Sequence, residues 1–109
     1  MAIKLAVLKS GEDIIADIKE VVDKDDPTKE IGLVFINPYV VTIHQPEVIT
    51  LSESIQPTEK TADIVFSKWI PLSKDDEMFV SHDWVVTIVN PHDDILNSYV
   101  KKIGVNDGN

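Results

Sequence analysis

The chain has 109 residues, 43% of them hydrophobic and 27% charged, which gives one domain with room for a single core. It contains no cysteine, which excludes disulfides, cysteine-ligated zinc, iron–sulfur clusters and thiol catalysis, and its absence favours a reducing, cytoplasmic setting. The net charge is −9 and all ten basic residues are lysine. Broad phosphate-driven binding to RNA, DNA or an anionic membrane is disfavoured, because such binding draws on clustered basic residues and above all on arginine. No apolar run approaches the roughly 18 residues of a membrane span, and no charged-then-apolar leader is expected ahead of residue 1.

Taken in chain order, Ile3, Leu5 and Val7 alternate along a first strand, and Ser10-Gly11-Glu12 turns the chain. Ile14, Ala16 and Ile18 then open a second strand with the same period of two. Residues 23–30 form a charged loop. A third strand runs over 31–43 and is interrupted at Asn37-Pro38, where a proline without an N–H predicts a bulge, a bend or an edge. Residues 45–62 read as a polar loop and the prime candidate for disorder, with an apolar patch at Val48, Ile49 and Leu51. Strand character returns over 63–70, and a charged turn covers 71–77. Strand pieces at 78–80 and 84–89 then flank Ser81-His82-Asp83.

The ending predicts a helix, with Asn90 as cap, Pro91 in the first helical position, and Asp93 and Asp94 facing the positive dipole end. Ile95, Tyr99 and Ile103 recur at four-residue spacing, Lys101 and Lys102 are expected in the last turn, and Gly104 is placed just past it. Residues 105–109 are expected to be a disordered tail. Several strands are apolar on both faces: Ile31, Leu33 and Phe35 alternate with Val34 and Ile36, and Trp84, Val86 and Ile88 with Val85 and Val89. A small sheet with one wet face would alternate more cleanly, so self-association is expected beyond what one helix can cover.

Candidate chemistry is sparse. Asp23, Asp25 and Asp26 begin like a calcium loop, but Thr28 and Val34 stand where a glycine and a glutamate are needed, so a solvated acidic loop is the reading. Asp75-Asp76-Glu77 reads the same way. His44, His82 and His92 lack metal-ligand spacing, and the acids after His92 suit a helix start. Ser81-His82-Asp83 contains the residue types of a hydrolytic triad, but adjacent residues in a turn project apart. Phe35, Tyr39, Phe66, Trp69, Phe79 and Trp84 could stack bases, yet their apolar neighbours favour core or interface packing, with the face of Trp69 ambiguous.

Four features together resemble the Sm-like family of Sm, LSm and Hfq proteins. The segment from Leu8 to Ile18 is similar to that family's first hairpin, and Asn37 before Tyr39-Val40-Val41 is similar to the end of its first motif. The 45–62 loop corresponds to its variable insertion. Met78 to Ile88 resembles its short second motif, strand, polar turn, strand. The departures are a helix at the C-terminus, Leu33 in place of an aspartate, and Ser81-His82 in place of a basic pair. The resemblance implies one domain over 1–104, mostly β: a five-stranded, strongly bent Sm-like (SH3-type) barrel with one C-terminal α-helix. It further implies a homo-oligomeric ring, pentamer to heptamer, acting as a non-enzymatic binding or scaffold module without cofactor or metal; the acidic, compact chain also resembles Sm-like proteins of marine phages. The alternative is an RNA-binding chaperone using Asn37, Tyr39 and His82. A third reading is metal-assisted hydrolysis by Asp23, Asp25 and a histidine.

Overall fold

A computed structural model describes residues 1–44 and 63–106, with side chains through 104. Six strands and one helix follow in order: β1 (Ile3–Leu8), β2 (Asp13–Val22), β3 (Glu30–His44), β4 (Asp63–Lys68), β5 (Glu77–Val80), β6 (Val85–Val89) and α1 (Asp93–Asn106), with a 3-10 turn over His82–Trp84. All pairings are antiparallel, in the order β4-β3-β2-β1-β6, and β5 also pairs with β3.

The five-stranded barrel expected from the sequence is therefore corrected to a six-stranded open sheet. The reason lies at Asn37-Pro38. Ile15 pairs with Tyr39 but Asp17 pairs with Ile36, so Asn37 and Pro38 together oppose Ala16 in a β-bulge. Asn37 adopts the left-handed conformation, φ 52°, which asparagine tolerates better than branched residues do. Beyond the bulge the outer edge of β3 carries β4, and before it β5. The intervening chain leaves and returns at the bulge itself: Trp69 N–H donates to the Pro38 carbonyl (3.2 Å) and Asn37 N–H to the Asp76 carbonyl (2.7 Å). The strands read over 63–70 and 78–80 are thus laid end to end along one side of β3. Among the described residues no ladder joins β6 to β4 or β5, so the sheet does not close.

Both faces of the central strands are buried, and by different means. On the inner face of the curled sheet Ala6, Leu8, Ile14, Ala16, Ile18, Leu33, Phe35 and Val80 form one cluster, with Trp69 tilted against Phe35 at 6.0 Å between ring centroids. On the other face α1 lays Ile95, Tyr99 and Ile103 over Ile3, Leu5, Ile15, Tyr39, Val41 and Phe66. The helix therefore covers Ile15 of β2 and Tyr39 and Val41 of β3, beyond the bulge, whereas Val34 and Ile36, the second apolar face read over 31–36, are half-buried outside that cluster. Nor does the helix account for β6, where Val86, Ile88 and Val89 remain exposed. On the β5 side the exposed Phe79 ring lies across Gly32; a Cβ there would come within 2.4 Å of it and 2.9 Å of the Val80 carbonyl, so only glycine fits.

The helix differs from the expectation at both ends. It starts at Asp93, its first bond running from Leu96 N–H to the His92 carbonyl (2.9 Å). Asn90 is not its cap: it lies three residues ahead of Asp93, and its side-chain carbonyl accepts from the Lys4 ammonium. The helix continues through Gly104 to Asn106, so residues 105 and 106 belong to it rather than to a tail; residues 107–109 lie outside the described residues, as does the 45–62 loop. With one more turn added, Lys101 and Lys102 no longer fall in the last one, and the Lys102 ammonium sits over the Tyr39 ring, 5.6 Å from its centroid.

Candidate functional site

Asn37 and Tyr39 come together at the bulge, but they face different surroundings. The Asn37 carbonyl accepts a hydrogen bond from the Tyr99 hydroxyl (2.7 Å), and its N–H is held by Asp76. Both backbone groups are thus used, and Asn37 lines a pocket. The Tyr39 ring belongs to the helix–sheet cluster, edge-on to Tyr99 at 6.1 Å.

His82 is elsewhere. It follows β5, whereas Asn37 sits beyond the far end of the β3–β5 ladder, which runs from Leu33–Val80 to Ile36–Glu77 and spans about 10 Å. The His82 ring is exposed in the 3-10 turn, with Nε2 3.1 Å from the Asp83 carboxylate. The structure does not bring His82 to Asn37 and Tyr39.

The acidic residues of the 23–30 loop are occupied locally. Asp23 accepts from Asp25 N–H (2.8 Å), and Asp26 accepts from Thr28 N–H (3.1 Å) and the Thr28 hydroxyl (2.5 Å). The Thr28 hydroxyl and then its N–H hold the Asp26 carboxyl below its ordinary range. These are side-chain-to-backbone turns. No group of three or more metal-ligating side chains is assembled among the described residues, and no helix among them is long and apolar enough to cross a membrane.

Three surfaces stand out. The first is a pocket of about 330 Å³ where the bulge parts β4 from β5, lined by Asn37, Tyr39, Lys68, Trp69, Ser73, Asp75, Asp76 and neighbours. The signal for it in the sequence was Asn37-Pro38 inside a strand, but its partners come from the 69–76 turn, which composition reads only as solvated charge. The second is an open apolar groove of about 820 Å³ beside the first turn of α1, where Leu5, Val7, Val41, Ile43, Ile64 and Ile95 meet.

The third is the pair of sheet edges, β6 on one side and β4 on the other. The sequence of β6 is Val-Val-Thr-Ile-Val, with neither a charge nor a proline to blunt it. Val86 is 64% exposed, at a register shift opposite Val7 and Leu8, and Val65 on β4 is 42% exposed. Among the described residues neither edge is paired by a further strand on its outer side.

None of the curated proteins compared matches this chain. The chain, whose described residues form an antiparallel sheet of six strands under one helix, belongs to a family of unknown function, DUF6561, whose model matches residues 1–104.

Proposed function

We propose that the protein is a non-enzymatic binding or scaffold module of Sm-like kind that works as a homo-oligomer, its copies joined head to tail by pairing β6 of one with β4 of the next. The observation that carries this reading is the uncharged β6 edge, paired only with β1 among the described residues, whose apolar side chains the chain's own helix leaves exposed. A soluble monomer blunts such an edge with lysine, proline or a covering element, because an open apolar strand is a template for association. Two different edges, one on each side of the sheet, allow a heterologous contact, and a heterologous contact closes into a ring when its rotation permits. A ring of pentamer to heptamer size is the form the resemblance implies.

The absence of cysteine makes the test clean. A chain carrying both Val65→Cys and Val86→Cys, treated with a short bismaleimide, is expected to give a ladder of covalent multimers. Either single variant alone is expected to stay uncrosslinked. A ladder absent from the double variant, or dimers formed by Val86→Cys alone, contradicts the head-to-tail pairing.

A further inference from the structure

We propose that the pocket at the β3 bulge binds a small zwitterion, a molecule with an ammonium group at one end and a carboxylate at the other. The proposal supplies a ligand for the binding half of the reading above and rests on it only to that extent.

The pocket exists because the bulge separates β4 from β5. The backbone groups at its rim are already spent: Asn37 N–H on Asp76, the Asn37 carbonyl on Tyr99, and the Pro38 carbonyl on Trp69 N–H. Recognition therefore falls to side chains. Lys68 contributes one positive charge, Asp75 and Asp76 two negative charges, and Asn37 an amide; Trp69 adds an indole and Ser73 a hydroxyl that accepts from Asp75 N–H at 3.0 Å while its own proton stays free to donate.

Charges of both signs line one pocket, yet no ion pair ties Lys68 to Asp75 or Asp76 among the described residues. A ligand that carries both signs can satisfy both at once. A free anion meets two carboxylates for every ammonium, on a chain of net charge −9, which disfavours nucleotides. A cationic group gains the carboxylates beside the Trp69 indole, and Lys68 with Asn37 is left to take a carboxylate. About 330 Å³ lies at the lower end for small-molecule pockets, enough for an amino acid or a betaine.

The test is isothermal titration of the full chain, at low salt, with the twenty common L-amino acids and glycine betaine. At least one is expected to bind one per chain with Kd below about 1 mM. Asp76→Asn and Lys68→Gln are each expected to weaken that ligand about tenfold or more, since each removes one charge-assisted partner. Lys102→Gln, on the opposite side of Tyr39, is expected to leave it unchanged. Absence of any binding up to 10 mM overturns the proposal, as does binding that survives both pocket variants, or an oligouridylate that competes where no zwitterion does. Sedimentation of the same samples separates the two claims: a monomer that binds the zwitterion sinks only the assembly, and an oligomer that binds none sinks only the ligand.

Discussion

Replacing Val86 with lysine is expected to reduce the assembled protein to a form that cannot grow through β6, while the single chain folds as before. Val86 is 64% exposed, so within one copy the change costs no more than about 0.5 kcal/mol. Against a second copy the ammonium must be desolvated beside an apolar strand, at a cost of roughly 2 kcal/mol or more, which is about a thirtyfold loss of association. Val65→Lys on β4 is expected to do the same from the other side.

The informative experiment mixes the two. The Val86→Lys chain retains its β4 edge and the Val65→Lys chain its β6 edge, so each offers what the other has lost. Head-to-tail pairing predicts that either variant alone is monomeric and that the mixture forms one-to-one dimers and nothing larger. If β6 instead pairs with β6 about a two-fold axis, Val65→Lys alone remains dimeric and the mixture adds nothing. Light scattering of the three samples distinguishes these outcomes.

Tyr99 carries the second large effect. It is fully buried between helix and sheet, edge-on to Tyr39 and tilted against Phe66, and its hydroxyl donates to the Asn37 carbonyl at 2.7 Å. A bulge leaves carbonyls without ladder partners, and this phenol answers the one that Asn37 presents. Tyr99→Phe keeps the ring and strands that carbonyl, at about 1–3 kcal/mol. Tyr99→Ala also opens a cavity at the centre of the helix–sheet cluster, at about 3–5 kcal/mol. Against a total stability of roughly 5–15 kcal/mol this is a large share, and the alanine variant is expected to melt at least about 12 °C below the native chain, read by circular dichroism.

The same side chain sets an alkaline limit. Burial, then the nearby Asp17 and Tyr39, raise its phenol above the ordinary value of 10.0. The folded chain thus holds this proton longer than the unfolded chain does. Below pH 10 both states keep it and stability does not depend on the group. As pH rises above 10 the unfolded chain ionises first, and stability falls. Urea denaturation from pH 9 to 11 is expected to show that decline in the native sequence and a shallower one in Tyr99→Phe.

Much of this architecture is legible from residues alone, for identifiable reasons. Period-two alternation over Ile3 to Val7 and Ile14 to Ile18 locates the first hairpin, because the pleat admits no other reading of it. Pro38 announces an interruption because it lacks an N–H. What it could not announce is that β3 changes partners there, since that depends on where Trp69 and Asp76 return, a contact some 30 to 40 residues away. Asn37 was legible as special from its place before Pro38, but its left-handed backbone was not, and its neighbours Lys68, at the end of β4, and Trp69 and Asp76, in the turn after it, carry no motif of their own. The helix starts at Asp93, past the Asn90-Pro91 signal, and Asn90 is instead engaged by the Lys4 ammonium from the far end of the sequence. The two-sided apolar strands divide in the same way. α1 covers Ile15 of β2 and Tyr39 and Val41 of β3, whereas among the described residues no element covers Val86, Ile88 and Val89 of β6.

The central claim, that β6 is covered by another copy, is tested most directly by the native mass of the purified protein. Sedimentation equilibrium at micromolar concentration is expected to give a single species of pentamer to heptamer mass, against 12.2 kDa for one chain. A particle that stays at 12.2 kDa across that range contradicts it.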